Sequence, residues 1–277
     1  MKKTILAILI LLLFIAKYIN SGAEIDIREP DEKAYGSTIS IEKHQIYSGP
    51  LLLINQDYPI QESGMMKDII NLSENTYLTQ GYGLLQPDIR LSEKVADEFS
   101  RMVKAAKNDG IDHFMINSGF RTLDEQHQLY LDMGSEYALP AGYSEHNAGL
   151  SLDIGSSGMK MEKAPEGKWL EKNAWKYGFI LRYPKDKSKI TGIQYEPWHF
   201  RYVGLPHSAI IHQENMVLEQ YLKYIKEKRN LLVRIDGEEY HISFYDLTGQ
   251  SSIQARVGST YEISGDNMNG VIVTSWE

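Results

Sequence analysis

A chain of 277 residues has room for one sizeable domain with additions and can bury a real core. Its 42% hydrophobic and 24% charged content is ordinary for a folded domain, while a net charge of −8 argues against a nucleic-acid partner, which calls for a basic face. With no cysteine, disulfides, thiolate ligands and thioether lipid anchoring are excluded, so stability must come from the core and any bound metal.

The chain opens with Lys2 and Lys3 before an unbroken apolar run from Ile5 to Ala16, closed by Lys17. That run suits the apolar core of a signal segment and falls short of the about 20 residues of a bilayer span. Ser21 and Ala23 supply a small-residue cleavage pattern. Residues 1–23 are therefore expected to be a signal or membrane anchor, with everything after them exported. Residues 24–45 are polar and acid-rich without an apolar period and read as a linker. Order is expected from Ile46, with Leu51-Leu52-Leu53-Ile54 as a short buried strand ended by Asn55 and Asp57.

Ser92 should cap a helix whose Val95, Phe99, Met102, Val103 and Ala106 share one face, stopped by Asn108-Asp109-Gly110. Phe114-Met115-Ile116 reads as a strand leading into Asn117-Ser118-Gly119-Phe120-Arg121. Thr122 and Glu125 form a capping box, so a second helix starts there and carries Gln126, Leu129 and Tyr130. Arg121 then stands at a strand-to-helix corner. Leu150, Leu152 and Ile154 alternate with Ser151 and Asp153, as in a strand with one polar face. A helix through Trp169, Leu170 and Tyr177 should end at Gly178, and a strand follows over Phe179–Tyr183. Glu196–Val203 is expected as the last strand of the core, and one long helix from Pro206 towards Lys228. From Leu231 the pattern is strands and turns, with Asp236-Gly237 as a hairpin turn and further strands at Tyr240–Tyr245, Tyr261–Ile263 and Val271–Val273.

Chemistry concentrates in two stretches: Y-S-E-H-N-A-G-L-S-L-D from Tyr143 to Asp153, and E-P-W-H from Glu196 to His199. Neutral imidazoles of His146 and His199 with the Asp153 carboxylate give a two-histidine, one-carboxylate shell that suits zinc with one exchangeable position. Glu196 offers a base for the water's proton. It precedes Pro197, so its backbone is expected extended, unlike the helical H-E-x-x-H of other zinc proteases. Arg121 suits a developing oxyanion, being always charged and carrying a fork of donors. Its plainer reading is a structural salt bridge. His44, His113, His127, His207, His212 and His241 have simpler accounts as surface or hydrogen-bonded residues. Trp198 and Tyr143 can wall a cleft, although Trp198 equally suits a core.

With these residues in view, S-G-F-R-T followed by Gln126, then S-E-H-N-x-G-L-S-L-D, then E-P-W-H-F-R-Y-V-G resembles the VanY-type D-alanyl-D-alanine carboxypeptidases, in particular the membrane-associated ones of glycopeptide-resistance systems. The similarity spans about Leu51 to Ile225. Ser144, His146, Gly149 and Asp153 meet the family pattern S-x-H-x-x-G-x-x-x-D. The resemblance implies zinc on His146, Asp153 and His199, with Glu196 as base and Arg121 as transition-state stabiliser. It implies an α+β fold, a small antiparallel sheet flanked by helices with the metal in a cleft on the sheet, over residues 46–229. The family core does not require residues 230–277, which are expected to form a small β appendage. Ser118, Gln126 and Ser144 lie beside the catalytic residues in the motifs and are candidate donors to the peptide's free carboxylate, or else cap and turn residues. The expected partner is a peptidoglycan precursor peptide ending in D-Ala-D-Ala, met at the membrane. L,D-carboxypeptidases and D,D-dipeptidases share the same three blocks, so both remain open. So does a non-catalytic cell-wall binding module with a structural metal.

Overall fold

The computed structural model of the chain describes residues 24–30, 37–135, 138–248, 252–255 and 259–277. The targeting segment at 1–23 and its cleavage pattern at Ser21 and Ala23 lie outside them. In chain order, strands β1 (Ile25–Arg28), β2 (Ser37–Ser40), β3 (Ile69–Asn71), β4 (Gly83–Leu84) and β5 (Arg90–Ser92) precede helix α1 (Glu93–Asn108). Then come β6 (Phe114–Ser118), α2 (Leu123–Met133), β7 (Ser151–Ser156), α3 (Pro165–Asn173), β8 (Phe179–Leu181), the short α4 (Ser188–Thr191) and β9 (His199–Tyr202). Helices α5 (His207–Gln213) and α6 (Leu218–Lys228) lead into β10 (Asn230–Ile235), β11 (Glu238–Asp246), β12 (Ser252–Ala255), β13 (Thr260–Gly265) and β14 (Gly270–Trp276).

Two five-stranded sheets organise these elements. The first has the order β4-β6-β7-β9-β8, antiparallel except at its edge pair β4 and β6. Period-two alternation splits β7: Leu152 and Ile154 enter the core, and Asp153 faces the other way. Helix α1 covers the core face. Ser92 caps it by accepting from the Val95 amide, and its apolar stripe, Val95 to Ala106, is buried as the spacing predicts. Phe99 sits edge-on to Tyr82 and Phe179, with ring centroids 4.8 and 6.4 Å away. Each such buried side chain contributes about 1.5–3 kcal/mol of transfer free energy, so this layer fixes the sheet that carries the site.

The second sheet runs β1-β10-β11-β14-β13, all antiparallel. Its Leu231, Val233, Ile242, Phe244 and Ile272 share one apolar cluster with Leu51, Leu53, Trp175, Ile180 and Val203 and with Ile210, Tyr221 and Leu222 of α5 and α6. Strand β14 is buried on both faces, since Val271 and Val273 join Ile41, Leu247 and Ile253 on the far side. The C-terminal strands are thus built into the main core, more than the small appendage expected.

Three further expectations are corrected. The stretch 24–45, expected as a linker, carries β1 and β2: Ile25 and Ile27 pack on the shared cluster while Asp26 and Arg28 point outward, and β1 pairs with β10 over 200 positions away. Leu51–Ile54 is buried but is not a strand. Its polar backbone is met by side chains and loop atoms instead: Ser264 Oγ accepts from the Leu51 amide at 2.8 Å, Asn267 donates to Leu53 O at 2.8 Å, and Arg201 donates to Pro50 O and Leu52 O at 2.9 Å each. The single helix expected after Pro206 is two helices, because the chain breaks at Asn215 (φ 49°), a left-handed conformation that Asn tolerates.

Candidate active site

Strand register builds the site. On β7 Asp153 lies directly opposite His199 of β9 on one side and Ser118 of β6 on the other. His146 arrives from a one-turn 3-10 helix, Glu145–Ala148, begun by Ser144, whose Oγ accepts from the His146 amide at 3.4 Å. Gly149 ends that turn in the left-handed region (φ 79°), and a Cβ there would stand 2.5 Å from Ile69 Cδ1, so glycine suits the position twice over. Among the described residues, His146, Asp153 and His199 form the group able to hold a metal, with ligand atoms all within 4.8 Å of one another.

Asp153 Oδ1 is the meeting point, 3.5 Å from His146 Nε2 and 3.3 Å from His199 Nδ1. It is buried and has no hydrogen-bond partner. A buried carboxylate oxygen without a donor, between two imidazole nitrogens, is costly unless a cation satisfies all three. The residues therefore fit a divalent metal, and the donor set is that of a catalytic zinc site. The outer nitrogens are already engaged: His146 Nδ1 is 2.7 Å from Gly119 O, and His199 Nε2 is 3.4 Å from Glu145 Oε2.

Electrostatics agree with these contacts. Burial would raise the Asp153 carboxyl, but the two imidazoles more than offset it and hold it well below the carboxylate range. Burial likewise works against an imidazolium at His199, yet the adjacent Asp153 and Glu145 carboxylates push it up to about 9. His146 moves down, through burial and then the nearby Arg121 guanidinium. Glu196 moves up, chiefly through burial, with His199 opposing.

Glu196 precedes the strand, not within it: β9 starts at His199, and the Glu196–His199 turn (His199 N to Glu196 O, 3.2 Å) brings Glu196 Oε2 to 3.6 Å from His199 Nδ1. Arg121 stands at the β6-to-α2 corner, half-buried; its backbone amide donates to His146 O at 3.1 Å, and its Nε has no hydrogen-bond partner. Glu125 closes the capping box of α2. Ser118 is half-buried beside Asp153. Gln126 is buried, donating to Leu139 O at 2.7 Å and leaving Oε1 unpartnered. Trp198 is 41% exposed and Tyr143 is half-buried, so neither is core. The other histidines stay outside the cluster: His44 and His113 pair with neighbouring acids at the surface, His127 is exposed, His212 stacks on Trp175, His241 meets Glu239, and His207 is buried between Tyr221 and Thr274.

Two residues in the motifs matter beyond the sequence reading. Asn147, fully buried, donates to Arg121 O at 2.8 Å and accepts from the Gly142 amide at 3.0 Å, tying the Arg121 corner to the loop before His146. Glu145 is buried against Arg182 and Arg201 at 2.8 Å each. The available signal was their place in the motif, a carboxylate and an amide on either side of His146.

Comparison with known proteins places this geometry. The model of the VanY family, D-alanyl-D-alanine carboxypeptidase, matches residues 88–205, which span Arg121 to His199. A D-alanyl-D-alanine carboxypeptidase of Enterococcus faecium is 57% identical over 235 residues, covering 85% of this chain and 78% of the relative. The crystal structure of the vancomycin-resistance D,D-dipeptidase VanXYg, in complex with a D-Ala-D-Ala phosphinate analogue, superposes with TM-score 0.76 at 30% identity, covering 87% of this chain and 99% of that one. A VanY D,D-pentapeptidase from a VanB-type resistance cassette, in complex with Zn(II), gives TM-score 0.52 at 28% identity, covering 62% of this chain and 98% of that one. With its three blocks in order on one sheet and a relative this similar over most of its length, the chain belongs to the VanY family of D-alanyl-D-alanine carboxypeptidases.

Proposed function

We propose that the chain is a zinc D,D-carboxypeptidase that removes the terminal D-alanine from peptidoglycan stem peptides, acting in glycopeptide resistance. The observation that carries this reading is the convergence of His146, Asp153 and His199 around one unpartnered carboxylate oxygen, with Glu196 alongside. Zinc held by these three side chains would keep a coordination position open and bring the pKa of water there to about 7. Glu196 accepts the proton of the attacking water and returns it to the amine of the departing D-alanine. Its burial favours this, since it raises the carboxyl above its ordinary value and so makes it a better proton acceptor. Arg121 donates to the carbonyl oxygen as negative charge develops there, a contribution of about 3–4 kcal/mol for one well-placed donor. Ser118, Ser144 and Gln126, the last with a free acceptor that a bound peptide's amide would satisfy, line the approach to the terminal carboxylate.

The test is digestion of a defined pentapeptide ending in D-Ala-D-Ala, with and without chelator, followed by mass spectrometry. Loss of one alanine, abolished by chelator and restored by zinc, is expected; an intact peptide under all conditions would leave a binding module. The likeness to a D,D-dipeptidase over 87% of the chain favours a second reading, hydrolysis of the free dipeptide D-Ala-D-Ala, which the assay reads when that dipeptide replaces the pentapeptide. Cleavage restricted to tetrapeptides would mark an L,D-carboxypeptidase instead. We further infer that the enzyme is exported and held at the membrane through residues 1–23. Among the described residues no helix is long and apolar enough to cross a membrane. Cell fractionation with and without residues 1–23 decides this.

A further inference from the structure

Glu145 neighbours a candidate ligand, yet no step of the hydrolysis uses it, and its carboxylate is wholly buried. Oε1 accepts from Arg182 Nε and pairs with Arg201 Nη1, both at 2.8 Å. Oε2 faces Ser151 Oγ at 3.1 Å and His199 Nε2 at 3.4 Å. Both arginines are fully buried too. Arg182 also forks onto Glu219 of α6 at 2.9 and 2.7 Å, so two arginines and two glutamates cancel. Three of these charges, Glu145, Arg182 and Arg201, are out of water, which is expensive, and an apolar cluster of the same volume often serves stability as well or better. The arrangement calls for a use at the one atom that meets the site, Glu145 Oε2.

Hydrogen-bond chemistry supplies that use. The Gly119 carbonyl can only accept, so His146 carries its hydrogen on Nδ1 and turns Nε2 towards Asp153. An ionised Glu145 also only accepts, so in the neutral form that binds a metal His199 carries its one hydrogen on Nε2 and turns Nδ1 towards Asp153. The two imidazoles thus present opposite nitrogens to one centre.

We propose that Glu145 is a positioning residue for the reaction: it locks His199 with Nδ1 presented to the cation, and Arg182 ties that lock to Glu219 on α6. The proposal rests on reading His146, Asp153 and His199 as a zinc centre. Partners of this kind at a metal-bound histidine typically change metal affinity by roughly 10–100-fold when removed.

The experiment uses the full chain and the metal alone. In wild-type protein with isotope-labelled histidine and NMR-active cadmium, the metal should couple to Nε2 of His146 and Nδ1 of His199. In E145Q the zinc dissociation constant, read by chelator competition, should rise roughly 10–100-fold, and the visible spectrum of the cobalt-loaded protein should shift. Should E145Q fail to fold around its unpaired arginines, the double variant E145Q/R201M, which removes one charge of each sign, should show the same weakening. Cadmium coupled to Nε2 of His199, or a folded variant with wild-type zinc affinity and cobalt spectrum, overturns the role of Glu145. Wild-type protein that binds no metal removes the zinc centre and this proposal together, so the two failures are distinct.

Discussion

Gly119 makes a test that can be worked out in ångströms. It follows Ser118 at the end of β6, and its carbonyl holds His146 Nδ1 at 2.7 Å. A Cβ added there would lie 2.2 Å from Arg90 O, the same oxygen that accepts from the Phe120 amide at 2.6 Å. Arg90 opens β5, and its guanidinium is engaged with Glu125, so it cannot simply swing aside. Backbone must therefore separate by about 1 Å to restore ordinary contact. Overpacking of this kind costs about 1–3 kcal/mol. A weakened Gly119–His146 hydrogen bond adds about 1 kcal/mol, or roughly fivefold in zinc affinity. Gly119→Ala should thus lower the melting temperature by roughly 4–16 °C for a chain of this size. Calorimetry with and without zinc, together with chelator competition, reads both numbers. Gly83→Ala is the control, since the nearest atom to its added Cβ is Met115 Cγ at 3.9 Å. A Gly119→Ala protein as stable and as zinc-avid as the control would refute this account of how His146 is held.

Other expectations follow from the same geometry. Glu196→Gln should bind zinc normally and lose about 10²–10⁴ in kcat, checked by metal analysis beside the pentapeptide assay; near-normal hydrolysis removes Glu196 as the base. Arg121→Ala should lower kcat by about 10²–10³ with zinc retained, and an effect confined to KM would assign it to ground-state binding instead. His207, buried between Tyr221 and Thr274, has its pKa lowered to about 3. The unfolded chain takes up a proton below about pH 6.5 that the folded one refuses, so the stability held above that pH is lost at about 1.4 kcal/mol per unit as pH falls towards 3. Urea melts from pH 7 to 4 should show that slope reduced in His207→Gln, and parallel curves for the two proteins would contradict it.

Local chemistry was readable without coordinates. The Ser92 cap, the Thr122–Glu125 box and the alternation through Leu150–Ile154 each depend on residues a few positions apart, and each forms as expected. What escaped depends on distant partners. Ile25 and Ile27 look like two apolar residues in an acidic stretch until Leu232 to Ile235 stand beside them. Leu51–Ile54 reads as a strand because its burial is real, but its hydrogen bonds go to Ser264, Asn267 and Arg201 instead of a ladder. The grouping of His146, Asp153 and His199 was legible because two motifs name those residues; Glu145 sits in one of them, but its meaning lies in Arg182 and Arg201 on two other segments.

The interior shared by the two sheets sets how the enzyme can be handled. Cutting the chain after Arg229 would strip Leu231, Val233, Ile242, Phe244 and Ile272 from Trp175, Val203 and Tyr221, leaving a bare apolar wall behind the sheet that carries the candidate site. A fragment ending at Arg229 would expose that face to water, and the tail is better regarded as a second wall of the same room.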